Sequence, residues 1–146
     1  LYRVIYTSQA SQLFGRAALS AVTAVSRRNN ARLDVSGLLV CHDRRFFQVL
    51  EGTEMVLTGL MTRIAADPRH QSLAMVAHGP TQQRAFTTWR VYCASKDPLA
   101  RLDPQISALE RLIPTNSELR GNDPNVRQHV RAFLAGLRNL PAANAA

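Results

Sequence analysis

The sequence predicts an α+β domain, and three observations predict it. Strand-like runs alternate with two helix-period runs in the order β-α-β-β-α-β, with one strand more. The strands carry apolar residues on both faces, so each face needs a cover. The tail adds two helical patterns, each opening on Asp-Pro. At 146 residues the chain is long enough to bury a core as one domain with an appendage.

From Tyr2 to Thr7 the residues alternate as a strand does, with Tyr2, Val4 and Tyr6 on one face and Arg3, Ile5 and Thr7 on the other. Ser11 offers an N-cap to a helix whose stripe is Leu13, Phe14, Ala17, Ala18, Ala21, Val22 and Val25. Asn29-Asn30 suits the end of that helix, because Asn tolerates left-handed backbone. A second strand covers about Val35 to Cys41, His42 to Arg44 form a short turn, and a third strand runs from Phe46 to Leu50. Thr53 caps a second helix with the stripe Val56, Leu57, Leu60, Met61 and Ile64. Asp67-Pro68 ends it, since the residue before proline avoids helical backbone. Leu73 to Ala77 and Trp89 to Cys93 read as further strands. In the tail, Leu99, Leu102, Ile106, Leu109 and Ile113 line one helix, and Val126, Val130, Phe133, Leu134 and Leu137 line the next.

This order is a ferredoxin-like plan, βαββαβ(β), in which the first and third strands are central neighbours. Tyr6, Phe46, Gln48 and Leu50 then share the face covered by the two main helices. Ile5, Leu38, Val40, Phe47 and Val49 point to the rear and are too apolar to face water. The two tail helices are the expected cover. The expected boundaries are a sheet-and-helix domain over 1–95, a helical extension over 96–140 and a flexible tail over 141–146.

Composition narrows the function classes. With 46% hydrophobic and 19% charged residues the chain is not a disordered one. No apolar run approaches the roughly 20 residues of a membrane span, and no secretion leader is visible at Leu1, so a cytoplasmic setting is expected. The net charge of +8 is almost all arginine, Lys96 being the single lysine. The arginines are spread along the chain, the tightest groups being the pairs Arg27-Arg28 and Arg44-Arg45, so a generally basic surface is favoured over a nucleic-acid footprint. Cys41 and Cys93 read as small buried hydrophobes. The Gly-x-Gly fingerprint, the P-loop, the Gly-x-Ser-x-Gly elbow, Cys-x-x-Cys and metal-spaced histidines are all missing, so an enzyme is not expected, and neither is a metal.

Gln48 is the odd residue. It lies mid-strand among Phe46, Phe47, Val49 and Leu50, on the face the helices bury. An unpaired buried amide costs about 1–3 kcal/mol, so it needs partners. Tyr6, on the neighbouring central strand and the same face, is one. A satisfied core Gln–Tyr pair and a ligand whose polar edge engages both side chains explain this equally well. The ligand reading also gives work to Asn30, Arg63, Asp67 and His70. Arg63 and Asp67 have a plainer reading as a solvated i,i+4 pair worth a few tenths of a kcal/mol, and His70 as a helix C-terminal cation.

The motifs then combine. Tyr6 with Ser8, Ser26-Arg27-Arg28-Asn29-Asn30, Ser36-Gly37-Leu38-Leu39, Phe46 to Gly52, Asp67-Pro68-Arg69-His70 and Arg84 to Trp89 stand in order and spacing over Leu1 to Tyr92. In this the chain resembles the BLUF domains, in particular the short type with a helical C-terminal extension. The resemblance implies a blue-light photoreceptor binding FAD without a covalent bond, with FMN as the alternative flavin, its ring lying between the two main helices. It implies that Asn30 binds the carbonyl and imide edge of the ring, that Arg63, Asp67 and His70 line its pyrimidine side, and that Asn29 and Ser26 stand nearby. Tyr6 is then the electron and proton donor, and Gln48 the group that rearranges and alters the hydrogen bonds to the flavin C4 carbonyl. Trp89 matches the family's last strand, but Val91 stands where a methionine is common. The expected output is through a separate signalling protein or a homo-oligomer, without membrane or nucleic acid. The alternative is an RNA-binding module of the same topology, suggested by the charge and by Arg45-Phe46-Phe47 beside Tyr6.

Overall fold

The computed structural model describes residues 1–11, 16–93, 106–108 and 123–139. Its elements are β1 (Tyr2–Ala10), α1 (Arg16–Arg32), β2 (Ser36–His42), β3 (Arg45–Gly52), α2 (Glu54–Ala66), β4 (His70–Pro80), β5 (Trp89–Cys93), β6 (Ile106–Ala108) and α3 (Pro124–Asn139). Among the described residues the sheet has six strands in the order β4-β1-β3-β2-β5-β6. β1 and β3 are the central antiparallel pair, and the register sets Tyr6 directly opposite Gln48. Asp43 and Arg44, both with positive φ (50° and 62°), close the β2–β3 hairpin in the primed-turn manner that matches strand twist.

The two faces divide as the alternation predicts. On the front, Val4, Tyr6, Leu39, Phe46 and Leu50 form one cluster with Leu19 of α1 and Leu57 of α2. Val56, Leu60, Met61 and Ile64 of α2 pack against it, and Thr53 caps that helix, its hydroxyl accepting from the Val56 N–H at 3.3 Å. On the rear, Ile5, Leu38, Val40, Phe47, Val49 and Tyr92 join Ala85, Phe86 and, from α3, Val126 and Val130. The Phe133 ring meets Phe47 with centroids 5.2 Å apart. Asp123 caps α3 through the N–H groups of Asn125 (3.0 Å) and Val126 (3.2 Å). No described helix is long and apolar enough to cross a membrane.

Four expectations need correction. Ile106 belongs to a strand, paired in parallel with Val91, and not to a helical stripe. Ile-Ser-Ala is too short for its apolar period to separate helix from strand, and the free edge of β5 decides it. The rest of that expected helix lies outside the described residues, as do Leu13 and Phe14 of the first expected helical stripe. In α1, Asn29 and Asn30 sit inside the last turns, because the helix continues to Arg32. Part of the expected α1 stripe also faces outward: Ala21 and Val25 are exposed, whereas Leu19 and Thr23 are buried and Val22 keeps its inward place. Finally, β4 starts at His70, three residues before the predicted strand. Cys41 and Cys93 form no disulfide, are buried, and stand in register on the parallel pair β2–β5.

Gly37 is where backbones approach most closely. Its φ is +154°, and a Cβ there would stand 1.9 Å from the Val49 carbonyl oxygen. Gly37→Ala forces β2 and β3 apart, so thermal unfolding should show a loss of about 3 kcal/mol; an unchanged Tm would contradict this account of the β2–β3 contact.

Candidate functional site

The site lies on the front face, between the sheet and the two main helices. Tyr6 of β1, Gln48 of β3 and Trp89 of β5 come from strands of different order in the sheet, yet all three line one cavity. The Gln48 carboxamide joins them: Nε2 donates to the Tyr6 hydroxyl, and Oε1 accepts from the Trp89 indole N–H at 3.0 Å. The three side chains are nearly closed to solvent. Burial pushes the Tyr6 phenol far above its ordinary pKa, and the hydrogen bond from Gln48 opposes this only in part. Tyr6 is therefore neutral, with its own proton still in place.

Apolar residues make most of the remaining wall, Leu19 and Val22 from α1, Leu39, Phe46 and Leu50 from the sheet, and Leu60 and Ile64 from α2. Among them are polar groups. The Ser8 hydroxyl is buried and has no partner among the described residues. The Asn30 side chain lines the same wall and is 5% exposed. Burying a hydroxyl unpaired costs about 1–3 kcal/mol, so a flat apolar ligand with a polar rim fits this wall better than more hydrocarbon would.

The end of α2 supplies the charged side. Asp67 ends the helix with extended backbone, ψ 118°. That turns its carboxylate off the helix face and away from the i,i+4 partner Arg63. It instead takes a forked contact from Arg69, with Nη2–Oδ2 at 2.6 Å and Nε–Oδ1 at 3.0 Å. This hydrogen bonding, against a smaller opposing effect of burial, holds the Asp67 carboxyl below the usual range. His70 bonds the Ile64 carbonyl through Nε2, which satisfies a helix-end acceptor while the ring still lines the cavity.

Of the residues expected from the sequence, Tyr6, Ser26, Asn30, Gln48, Asp67, His70 and Trp89 line this cavity. Asn29 and Arg63 do not; Arg63 is exposed on α2. Arg69 and Ser8 line it and were missed as site residues. Arg69 could have been found, because it lies two residues beyond a proline-ended helix, where a side chain can fold back on the C-cap carboxylate. The RNA-binding reading fails on geometry: Phe46 and Tyr6 lie in the front cluster and Phe47 in the rear one, so no single aromatic platform exists.

A family model described as BLUF, sensors of blue-light using FAD, matches residues 1–92. The photoactivated adenylate cyclase subunit beta of Euglena longa is 32% identical over 137 residues, 93% of this chain but 16% of that protein. The chain thus spans about a sixth of the length of that curated relative. Among solved structures, Klebsiella pneumoniae BlrP1 with FMN and cyclic diGMP is 32% identical with a TM-score of 0.58, over 62% of this chain and 25% of that one. BlrB, a BLUF protein in its dark state, is 28% identical with a TM-score of 0.64, over 92% of this chain and 96% of that one.

The Asp67–Arg69 contact should be acid-sensitive in one direction only. A carboxyl whose folded pKa lies below its unfolded one contributes fully above the unfolded value and loses that contribution as pH falls through the folded value. NMR titration of Asp67 in the native protein should give a midpoint below the ordinary 3.8; a midpoint at or above it contradicts the forked contact.

Proposed function

The chain belongs to the BLUF family and is a flavin-using blue-light sensor, and from that premise we propose how its residues carry out the sensing. The observation that carries the reading is the Gln48 carboxamide held between the Tyr6 phenol and the Trp89 indole at the wall of one cavity. Bound there, the flavin supplies absorption of blue light and, once excited, an electron acceptor. Asn30 and Ser8 hold its polar rim, with Asp67, Arg69 and His70 along the charged side and Ser26 at the helix wall. Asn29 and Arg63 lie outside the cavity lining.

Tyr6 is the donor. In a low-dielectric wall a phenolate is costly, and an oxidised phenol cannot keep its proton, so electron and proton leave Tyr6 together and later return to it together. No bond to the cofactor forms, and the net redox state is unchanged. Gln48 is the part that does not return at once. Its amide has a donating end toward Tyr6 and an accepting end toward Trp89, so rotation or tautomerisation exchanges donor and acceptor and leaves a second hydrogen-bond pattern. By exchanging the ends of its amide, Gln48 would alter the donors offered to the C4 carbonyl of a bound flavin, whose absorption would report this as a small shift to the red.

In this reading residues 1–95 are the sensor and 96–140 a C-terminal extension, of which α3 packs on the rear face. The signal leaves through a separate downstream protein or through self-association, and this stretch performs no catalytic turnover itself. Cyclic AMP formed from ATP under blue light by the purified chain would overturn the last point.

The purified protein should be yellow and its flavin bands should move reversibly to the red under blue light. Tyr6→Phe and Gln48→Leu should abolish the shift while the flavin stays bound, and Asn30→Ala should weaken flavin binding by about tenfold, roughly one charge-free hydrogen bond with its desolvation. An undiminished reversible shift in Gln48→Leu defeats the mechanism.

A further inference from the structure

Gln48 and Tyr6 face the front of the sheet, whereas α3 lies on the rear. A light-driven change must therefore cross the sheet to reach it. Residues 85–89 make that crossing: Ala85 and Phe86 belong to the rear cluster and Trp89 to the front one. The segment is anchored at both ends. At the front, the Trp89 indole donates to Gln48. At the rear, the N–H groups of Ala85 and Phe86 donate to the buried Glu51 carboxylate at 2.9–3.1 Å. Arg3 holds the same carboxylate, through Nε at 2.9 Å and Nη2 at 2.8 Å. The same Arg3 Nη2 stands 2.8 Å from Asp123 Oδ2, and the other oxygen of Asp123 caps α3.

We propose that the Arg3–Asp123 ion pair is the clasp through which the Gln48–Trp89 hydrogen bond governs the seating of α3 on the rear face. The inference rests on the photosensor reading and names its output contact. Moving Trp89 shifts the 85–86 backbone, which shares the Glu51 carboxylate with Arg3. Arg3 has one guanidinium for two carboxylates, so a change in what Glu51 receives changes what Arg3 can give Asp123. Glu51 is fully buried and Asp123 is partly open to solvent, so of the two contacts the one to Asp123 yields. Arg3 and Asp123 are positioning residues here; neither lines the flavin cavity.

The test uses the whole flavin-loaded protein, with amide hydrogen exchange across α3 followed in the dark and under continuous blue light. In the unaltered protein, α3 amides should exchange about fivefold faster in the light. Asp123→Asn keeps an N-cap acceptor of equal quality but removes the charge. It should bring dark exchange up to the light level and erase the light–dark difference, with flavin loading and red shift unaltered; Asp123→Glu should restore part of the difference. The clasp is refuted if Asp123→Asn keeps both dark protection and light response. It is equally refuted if exchange rises by the same factor in dark and light, which is the mark of a merely structural contact. A normal red shift with no light response in α3 of the unaltered protein removes the clasp alone, whereas absence of the red shift removes the photosensor reading beneath it.

Discussion

A carboxylate taken fully out of water must be met by donors, and Glu51 is met by the Arg3 guanidinium and by the backbone N–H groups of Ala85 and Phe86. That arrangement fixes three things together. It locks the register of the central strands, since Arg3 and Glu51 are direct partners on β1 and β3. It pins the irregular stretch before β5, and with it the position of Trp89. It leaves the Glu51 carbonyl to accept from Arg84, which also reaches Ser36 and Asp34 and ties the start of β2 to the same corner. Loss of either member of a buried pair of this kind costs about 3–5 kcal/mol, because the other is left charged and unmatched. The hydrogen-bonded set Tyr6, Gln48 and Trp89 on the front is thus held in place by electrostatics on the rear.

Much of the fold was legible because alternation has no competitor in a sheet covered on both sides. Tyr6 and Ile5, or Phe46 and Phe47, are sent to opposite faces by the pleat alone, and the structure keeps every one of those assignments. Helix α2 was equally legible from Thr53 to Asp67, since cap, stripe and proline agree. Helix α1 was not. Its inner side carries the polar residues Thr23, Ser26 and Asn30, the last two lining the cavity, and a search for an apolar stripe turns such a helix toward its alanines. β6 escaped because three residues cannot show a period.

The site divides in the same way. Gln48 and Tyr6 were visible as polar groups where hydrocarbon was due, and the register places them face to face. The plainer i,i+4 pairing of Arg63 with Asp67 is not the contact made, because that rule does not hold across a helix end. Once Asp67 leaves helical backbone, its partner is found downstream, at Arg69. Glu51 was quoted only as part of a motif, since nothing local says that a charge beside glycine at a strand end is sealed in the interior. That depends on residues as distant in sequence as Arg3 and Ala85. Val91, the departure from the family pattern, is buried in the front cluster beside Leu39 and contributes only packing at a place where a thioether is common.

The unsatisfied polar lining has a consequence for the life of the protein as well as for its photochemistry. With Ser8 buried and no protein group among the described residues to answer it, a flavin bound in this cavity would complete the interior as a side chain does. Native chains are then favoured in proportion to free flavin, by mass action. A cell short of the vitamin precursor would hold fewer folded receptors, with the surplus polypeptide open to proteolysis, so the number of working photoreceptors is metered by cofactor supply before any photon arrives.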